Sequence, residues 1–311
     1  MNMKKLNKVV KKMTEGQYTL SELRLNISDI IFLRDNGYRV QYHYDPRKKK
    51  YVYYINEKDD MAYIVVSELS EEPQKLNLLQ ISDLHAGSNK FDEQKLHETL
   101  KEAVRRKVQY VHISGDIFDG HNMYRGQELN LKYHTAEEQV DLVFSILSQY
   151  NLWYIASMGN HDVSFSKNGE LDPIRMLETK MVAAGKKFTY LAAYEANIVH
   201  HGVVFRLIHL NGAQSRAKSY KPQVYLANVF ESNVNDVVLG NKKYNIRNVQ
   251  CGHFHVRYDF EIGGVTLTMA GNFQFDGDLT KRMGITGRTG GIFKEIVIMN
   301  GQIIEEKTEF N

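Results

Sequence analysis

Apolar positions change their period twice along the chain. Between residue 3 and about residue 14, Leu6, Val9, Val10 and Met13 recur at helical spacing. "TLSELRLN" follows, with Thr19 and Glu22 in the Thr-x-x-Glu order of a capping box. "NISDIIFLRDNG" predicts another helix. Asn26 or Ser28 is its cap, Ile27, Ile30, Ile31 and Leu33 are its apolar face, and Gly37 is its stop. The period then falls to two, and "YRVQYHYD" and "KYVYYINE" alternate like strands around the basic turn "PRKKK". Part of "NEKDDMAYIVV" reads as one more strand, and "SELSEEPQK" reads as a linker.

From Leu76 onward the strands become continuously apolar, as buried ones do. "LNLLQIS" is the first. "KFDEQKLHETLKEAVRRK" predicts a helix with Leu96, Leu100, Ala103 and Val104 in one stripe, and "VQYVHIS" returns as a second buried strand. The helix "AEEQVDLVFSILSQY" and the strand "LWYIAS" extend the alternation, and "VVFRLIH" and "RNVQC" are later strands. This order predicts an α/β body over residues 76–311, preceded by a small unit over residues 1–70.

Charge sharpens that division. Residues 1–55 hold 12 Lys/Arg against 5 Asp/Glu, whereas the remainder holds 28 against 32. A basic front on a mildly acidic body implies different partners for the two parts. Three helices followed by a basic hairpin resemble a winged helix, whose third helix enters a nucleic-acid groove and whose wing touches phosphate. Arg34 is the one base on that helix, beside Asp29 and Asp35, so sequence reading is poorly served. Lys48, Lys49 and Lys50 suit phosphate contact without sequence preference. Protein docking is the competing reading of this unit. No apolar run approaches the ~20 residues of a membrane span. "MNMKKLNKVVKKM" lacks the apolar core of a signal peptide. Cys251 is the only cysteine, which rules out an intrachain disulfide and fits a cytoplasmic protein.

The chemistry lies at the strand ends. The first buried strand runs into Asp83 and His85, the second into "GDIFDG" with Asp116 and Asp119, and the third into "MGNHD" with Asn160, His161 and Asp162. "VVFRLIH" ends in His209, and "RNVQCGHFH" ends in His253 and His255. Ligands of α/β sheets bind beyond the carboxyl ends of the strands, and neighbouring glycines let the chain turn there. Carboxylate, amide oxygen and imidazole together suit Mn²⁺, Fe or Zn²⁺. Seven candidate ligands exceed the needs of one catalytic ion and fit two, with Mn²⁺ the foremost choice.

Asp-x-His, Gly-Asp-x-x-Asp-Gly, Gly-Asn-His-Asp, a strand-end His and Gly-His-x-His, in that order, resemble the calcineurin-like metallophosphoesterases. The resemblance covers about residues 76–305. It implies two packed β-sheets with flanking helices and a dinuclear metal centre. By motif, it places Asp83, His85 and His255 on one metal, Asn160, His209 and His253 on the other, and Asp116 between them. His161 would face the phosphate as general acid, and the Asp119 carboxylate would orient it. His200, in "HHG", competes with His209 but reads as the tip of a hairpin.

Of the remaining histidines, His112 reads as a packed core residue and His97 as solvated. Cys251 reads as small and buried. "HNMYRGQELNLKYHTAEE", with Tyr124, Arg125, Lys132, Tyr133 and His134, is a long insertion on the catalytic side. "QSRAKSYKPQ", with Arg216, Lys218, Tyr220 and Lys221, is a similar loop. Each can shape a substrate groove or be plain surface. The implied reaction is phosphoester hydrolysis by a metal-bridging hydroxide. The favoured substrate is a phosphodiester in DNA or RNA. A phosphomonoesterase for nucleotides or phosphoproteins is the alternative, and a DNA-binding regulator with a structural metal centre is the alternative of another class.

Overall fold

The computed structural model describes residues 3–35, 38–55, 62–166, 172–212, 217–231, 236–240, 242–275 and 289–311. The front unit comprises α1 (Met3–Glu15), β1 (Tyr18–Thr19), α2 (Leu20–Leu23), α3 (Ile27–Asp35), β2 (Val40–Asp45) and β3 (Lys50–Ile55). Its strands form a small antiparallel sheet in the order β1-β3-β2. The capping box forms as expected, with Thr19 Oγ1 accepting from Glu22 N–H and the Glu22 carboxylate accepting from Thr19 N–H. Asn26 is the cap of α3, since its side-chain oxygen accepts the Asp29 N–H at 3.0 Å. The apolar face of α3 departs from expectation. Ile30 and Leu33 are buried with Leu6, Val9 and Met13, but Ile27 and Ile31 are 56% and 53% exposed. Gly37 lies outside the described residues.

β4 (Ala62–Val65) corrects the expected boundary. It pairs in parallel with β9 (Glu195–His200), so a strand placed before the linker belongs to the body's sheet. The body continues through β5 (Gln74–Ile81), α4 (Glu93–Arg105), β6 (Tyr110–Ser114), α5 (Ala136–Leu147), β7 (Trp153–Ser157), α6 (Pro173–Ala183) and β8 (Lys187–Tyr190). β10 (Val203–His209), α7 (Tyr220–Glu231), β11 (Asp236–Leu239), β12 (Lys242–Gly252), β13 (Arg257–Ile262) and β14 (Val265–Ala270) follow β9, and β15 (Ile292–Met299) and β16 (Gln302–Phe310) close the chain. One sheet has the order β16-β15-β5-β6-β7-β8, and the other β13-β14-β12-β10-β9-β4 with β11 on β12.

The two sheets pack face to face through Leu78, Ile155 and Ile296 on one side and Ile198, Phe205 and Leu207 on the other. Helices α4, α5 and α6 cover the outer face of the first sheet with Leu96, Leu100, Val143, Ile146 and Leu177. Val104 of the expected α4 stripe is 49% exposed, and Thr99 takes the buried place instead, its hydroxyl donating to the Lys95 carbonyl. His112 is buried as expected. Its ring stacks on His200 with centroids 5.3 Å apart, between the sheets and away from the strand ends. His97 is not simply solvated, since its Nδ1 lies 2.7 Å from the Tyr150 hydroxyl. Cys251 is buried. Among the described residues, no helix is long and apolar enough to cross a membrane.

The front unit is seated on the body by one cation and a set of rings. Arg175 of α6 lies over Tyr42, Tyr51 and Tyr190, at 4.7, 5.7 and 4.8 Å from their centroids, and pairs with the fully buried Glu178. Tyr51 O–H donates to Glu178 at 3.0 Å, and Thr189 O–H donates to the Tyr44 carbonyl at 2.9 Å. Removing one partner of a buried pair leaves the other uncompensated. Arg175→Ala should therefore lower folding stability by about 3 kcal/mol or more, read as a lower urea midpoint. A change below about 1 kcal/mol, the ceiling for surface pairs, would show the cage to be decorative.

Candidate metal centre

The parallel strands β5, β6 and β7 deliver their carboxyl ends to one edge, and β10 and β12, parallel to each other, deliver theirs from the facing sheet. Beyond the sheet, the loops after β5 and β6 remain stitched together. Asp83 N–H donates to the Gly115 carbonyl, His85 N–H to Asp116, Ala86 N–H to Ile117 and Asp119 N–H to Ala86, at 2.9–3.1 Å. Side chains tie in the others. Asp116 Oδ1 accepts the His161 N–H at 2.8 Å, and the Asp83 carboxylate accepts the His253 N–H at 2.9 Å.

Five residues at these loops hold left-handed backbone: Asp83 (φ 53°), His85 (50°), Asp116 (50°), His253 (88°) and His255 (55°). Such conformations cost side-chain-bearing residues of the order of 1–3 kcal/mol each, and they persist only where the surroundings over-determine them. The expectation that glycine takes the sharp turns is thus only half of the picture. Gly159 serves as the smallest residue, because a Cβ there would meet Asp116 Oδ1 at 2.1 Å.

Three overlapping groups result: Asp83–His85–His255, His85–Asp116–His161 and Asp116–His209–His253, each with its ligand atoms within 4.8 Å of one another. Asn160 Oδ1 completes the last, 3.1 Å from His209 Nε2 and 3.0 Å from His253 Nδ1. Asp116 belongs to the second and third groups and not to the first; His85 links the first group to the second, which also contains His161. All seven sequence-predicted ligands therefore converge.

The imidazoles are aimed. Nδ1 of His209 meets the Ser114 carbonyl at 2.8 Å, Nδ1 of His85 meets Asp119 Oδ1 at 3.1 Å, and Nε2 of His253 meets the Gly212 carbonyl at 3.0 Å. If each donates there, its other nitrogen turns a lone pair to the site. Nε2 of His85 and Nε2 of His255 face each other at 3.0 Å, with Asp83 Oδ1 3.4 Å from His255. Deprotonated, these two nitrogens beside a carboxylate form a donor set that a cation satisfies, so the residues fit the metal that the motif order implies.

Burial opposes a charge on His85, but the hydrogen bond to Asp119 and the charge of Asp116 outweigh it and push the imidazole up to about 9. Burial likewise opposes a charge on His209, and Asp116 pushes it up to about 10. His161 and His253 move the other way, chiefly by burial.

His161 lines the cleft, but the expected role of Asp119 needs correction. The Asp119 carboxylate holds His85 and accepts from Gln127 Nε2 at 3.0 Å. It is the main-chain carbonyl of Asp119 that meets His161 Nδ1, at 2.6 Å. Asp119 thus meets His85 with its side chain and His161 with its main chain.

Asp162 had no role assigned from the motif. Its carboxylate accepts the Phe118 and Gly159 N–H groups at 3.0 and 2.8 Å, joining the second loop to the third. Burial and the charge of Asp116 push it up to about 7. Lys90, Tyr124, Asn130 and Gln274 also line the cleft, whose volume is about 270 Å³. Of these only Tyr124 was visible, as an aromatic in an insertion. Gln127 carries no sequence signal. Lys218 of the second loop donates to the Phe254 carbonyl at 3.1 Å, and Arg216 lies outside the described residues.

Residues 76–271 match the family model of the calcineurin-like phosphoesterases. The chain belongs to that family. As a calcineurin-like phosphoesterase it is similar to the DNA polymerase II small subunit of Methanocaldococcus jannaschii. The identity is 25% over 252 residues, covering 70% of this chain and 42% of that one. The corresponding subunit of Pyrococcus abyssi is 22% identical over 249 residues, covering 68% and 39%. The chain thus spans about two fifths of the length of these curated relatives. Among solved structures, an archaeal phosphodiesterase aligns over 75% of this chain and all of its own, with a TM-score of 0.41 and 13% identity. A phosphoesterase from E. coli aligns over 75% and 98%, with a TM-score of 0.37 and 16% identity.

Two outcomes are expected. Asp116→Asn should weaken metal retention in both groups together, and a purified variant that kept two ions and full turnover would overturn the shared position of Asp116. In metal-free protein, the raised His85 and His209 contribute stability that is complete below about pH 6.5 and is lost as pH rises toward 9–10. The lowered His43, His112, His161 and His253 cost stability as pH falls below 6.5. The thermal midpoint should therefore peak near pH 6.5, and Mn²⁺ should flatten the alkaline side. A metal-free midpoint that rises steadily to pH 9 would contradict the two imidazolium assignments.

Proposed function

We propose that the chain is a dinuclear-metal-dependent phosphodiesterase acting on DNA or RNA. The observation that carries this is the chain of overlapping groups, in which His85 joins Asp83 and His255 to Asp116 and Asp116 joins them to His209 and His253, with His161 at the same cleft. Asp83, His85 and His255 would hold one ion and Asn160, His209 and His253 the other, with Asp116 common to both. When bound, a pair of divalent ions supplies the positive charge on which phosphoryl transfer depends.

The chain's own residues do the rest. His161 keeps Nδ1 against the Asp119 carbonyl, so its Nε2 faces the cleft; burial disfavours the charged ring, and a phosphate bound beside it would favour the protonated form that can pass a proton from Nε2 to the leaving oxygen. His85, His209 and His253 are oriented by the acceptors described above. Tyr124 offers a ring to a base and Lys90 a charge to a phosphate, at the cleft wall.

Nucleic acid as substrate is supported by the relatives, which are subunits of a DNA polymerase, and by the basic front unit. The order of elements from α1 to β3 supports the winged-helix reading of that unit. Lys49 and Lys50 are exposed on the hairpin. Lys48 is also exposed but lies 3.2 Å from Glu22, and Arg34 donates to the Val40 carbonyl at 3.1 Å. The exposed Ile27 and Ile31 favour a second reading, in which α3 docks on protein while the body remains a phosphodiesterase.

A Mn²⁺ assay on bis-p-nitrophenyl phosphate, p-nitrophenyl phosphate and labelled duplex and single strands tests the proposal. Hydrolysis of the monoester alone would sink it. Lys48, Lys49 and Lys50 changed together to Ala should shallow the salt dependence of duplex binding by up to about 2.7 units of slope if all three touch phosphate. An unchanged slope and affinity would favour protein docking.

A further inference from the structure

Gln127 lies in the insertion that follows β6, at the start of a short 3₁₀ turn, Gln127–Asn130, and is fully buried. A buried primary amide in a surface insertion calls for an explanation, because each of its polar atoms must find a partner. All of them do. Its Oε1 accepts the Met123 N–H at 2.8 Å. Its Nε2 donates both to the Asp119 carbonyl at 2.9 Å and to Asp119 Oδ2 at 3.0 Å. The Asp119 carbonyl also receives His161 Nδ1 at 2.6 Å, and Asp119 Oδ1 receives His85 Nδ1 at 3.1 Å.

One carbonyl thus takes two donors, and both bear on its direction. The N–H of the same peptide, that of Gly120, is held by Gln139 Oε1 at 3.1 Å, so loss of the Gln127 amide removes one of three tethers and loosens the aim of the carbonyl that meets Nδ1 of His161. The Gln127 N–H in turn donates to the Tyr124 carbonyl at 3.2 Å, and Tyr124 and Asn130, on either side of Gln127, line the cleft. A continuous set of hydrogen bonds therefore runs from the cleft wall to the candidate acid. We infer that Gln127 is a positioning residue for His161, and that through it the insertion at residues 121–135 sets the aim of the proton delivered to the leaving oxygen.

The inference rests on the proposed role of His161 as acid, and the experiment separates the two. Proton delivery matters little when the leaving group is p-nitrophenolate and much when it is a sugar alkoxide. Turnover by the Mn²⁺-loaded full chain is measured on bis-p-nitrophenyl phosphate and on the dinucleotide thymidylyl-thymidine. The proteins are the unaltered chain, Gln127→Met, which keeps length without the amide, Gln127→Leu, which removes the amide with a shorter apolar side chain, and His161→Asn. Metal content and thermal midpoint are recorded for each. His161→Asn should lose about 10²–10⁴-fold in kcat on the dinucleotide and much less on the activated diester, with metal retained. Both Gln127 variants should lose about tenfold or more in kcat on the dinucleotide, a part of the same acid effect, with KM and metal content unchanged and the activated diester nearly unaffected. Equal losses on the two substrates, or lost metal, would make Gln127 a structural residue only. Normal turnover on both would remove it from the site. If His161→Asn itself lost equally on both substrates, the acid assignment would fall, and the inference with it.

Discussion

Two carboxylates, those of Asp83 and Asp116, are buried where five strands end, and buried charge must be met by hydrogen bonds or by opposite charge. The protein first spends them on itself. Asp116 accepts the His161 N–H, and Asp83 accepts the His253 N–H, so each carboxylate locks a distant loop to its own strand. The remaining oxygen faces are met by imidazoles that are themselves braced from behind. The left-handed backbone at five of these residues is the strain that this mutual arrangement sustains. Loop geometry, ligand aim and the need for a cation are consequences of one decision, the placing of two acids in a dry place.

Asp119 stands one layer out and serves two masters. Its carboxylate braces His85, a candidate ligand, and its main chain braces His161, the candidate acid, so a single residue joins the two. This arrangement explains why the insertion after β6 is not free surface. Gln127 and Gln139 both reach in from it or from the helix that follows, Gln139 exchanging hydrogen bonds with Gly120 N–H and C=O. Outer-shell contacts of this kind tune a site without touching its substrate.

Much of this was legible in the sequence, for reasons that can be named. The buried strands announce themselves because both faces are covered, and each ends in polar residues with no business in a core. The order of the five motifs then picked out seven residues that the fold brings to one edge. What escaped was contact between side chains far apart in the chain. That Asp119 steers through its carbonyl depends on a peptide orientation, which no residue type encodes. Gln127 looks like any polar residue in a loop. The outward Ile27 and Ile31 satisfy the same helical period as their buried neighbours, since spacing marks a face without saying what covers it. β4 was seen as a strand but assigned to the wrong side of the linker, because its partner in β9 lies far along the chain.

That distant pairing shapes how the molecule comes into being. A nascent chain emerging from the ribosome releases the front unit early, with β4 on its heels, yet the edge that β4 completes does not exist until β5 to β8 and three helices have followed. Through that interval an apolar strand with open backbone groups waits without its neighbour, the sort of exposure that invites mispairing. A chain interrupted before β9 thus already holds Arg175, Glu178, Thr189 and Tyr190, on which the front unit sits, but lacks the strand that pairs with β4.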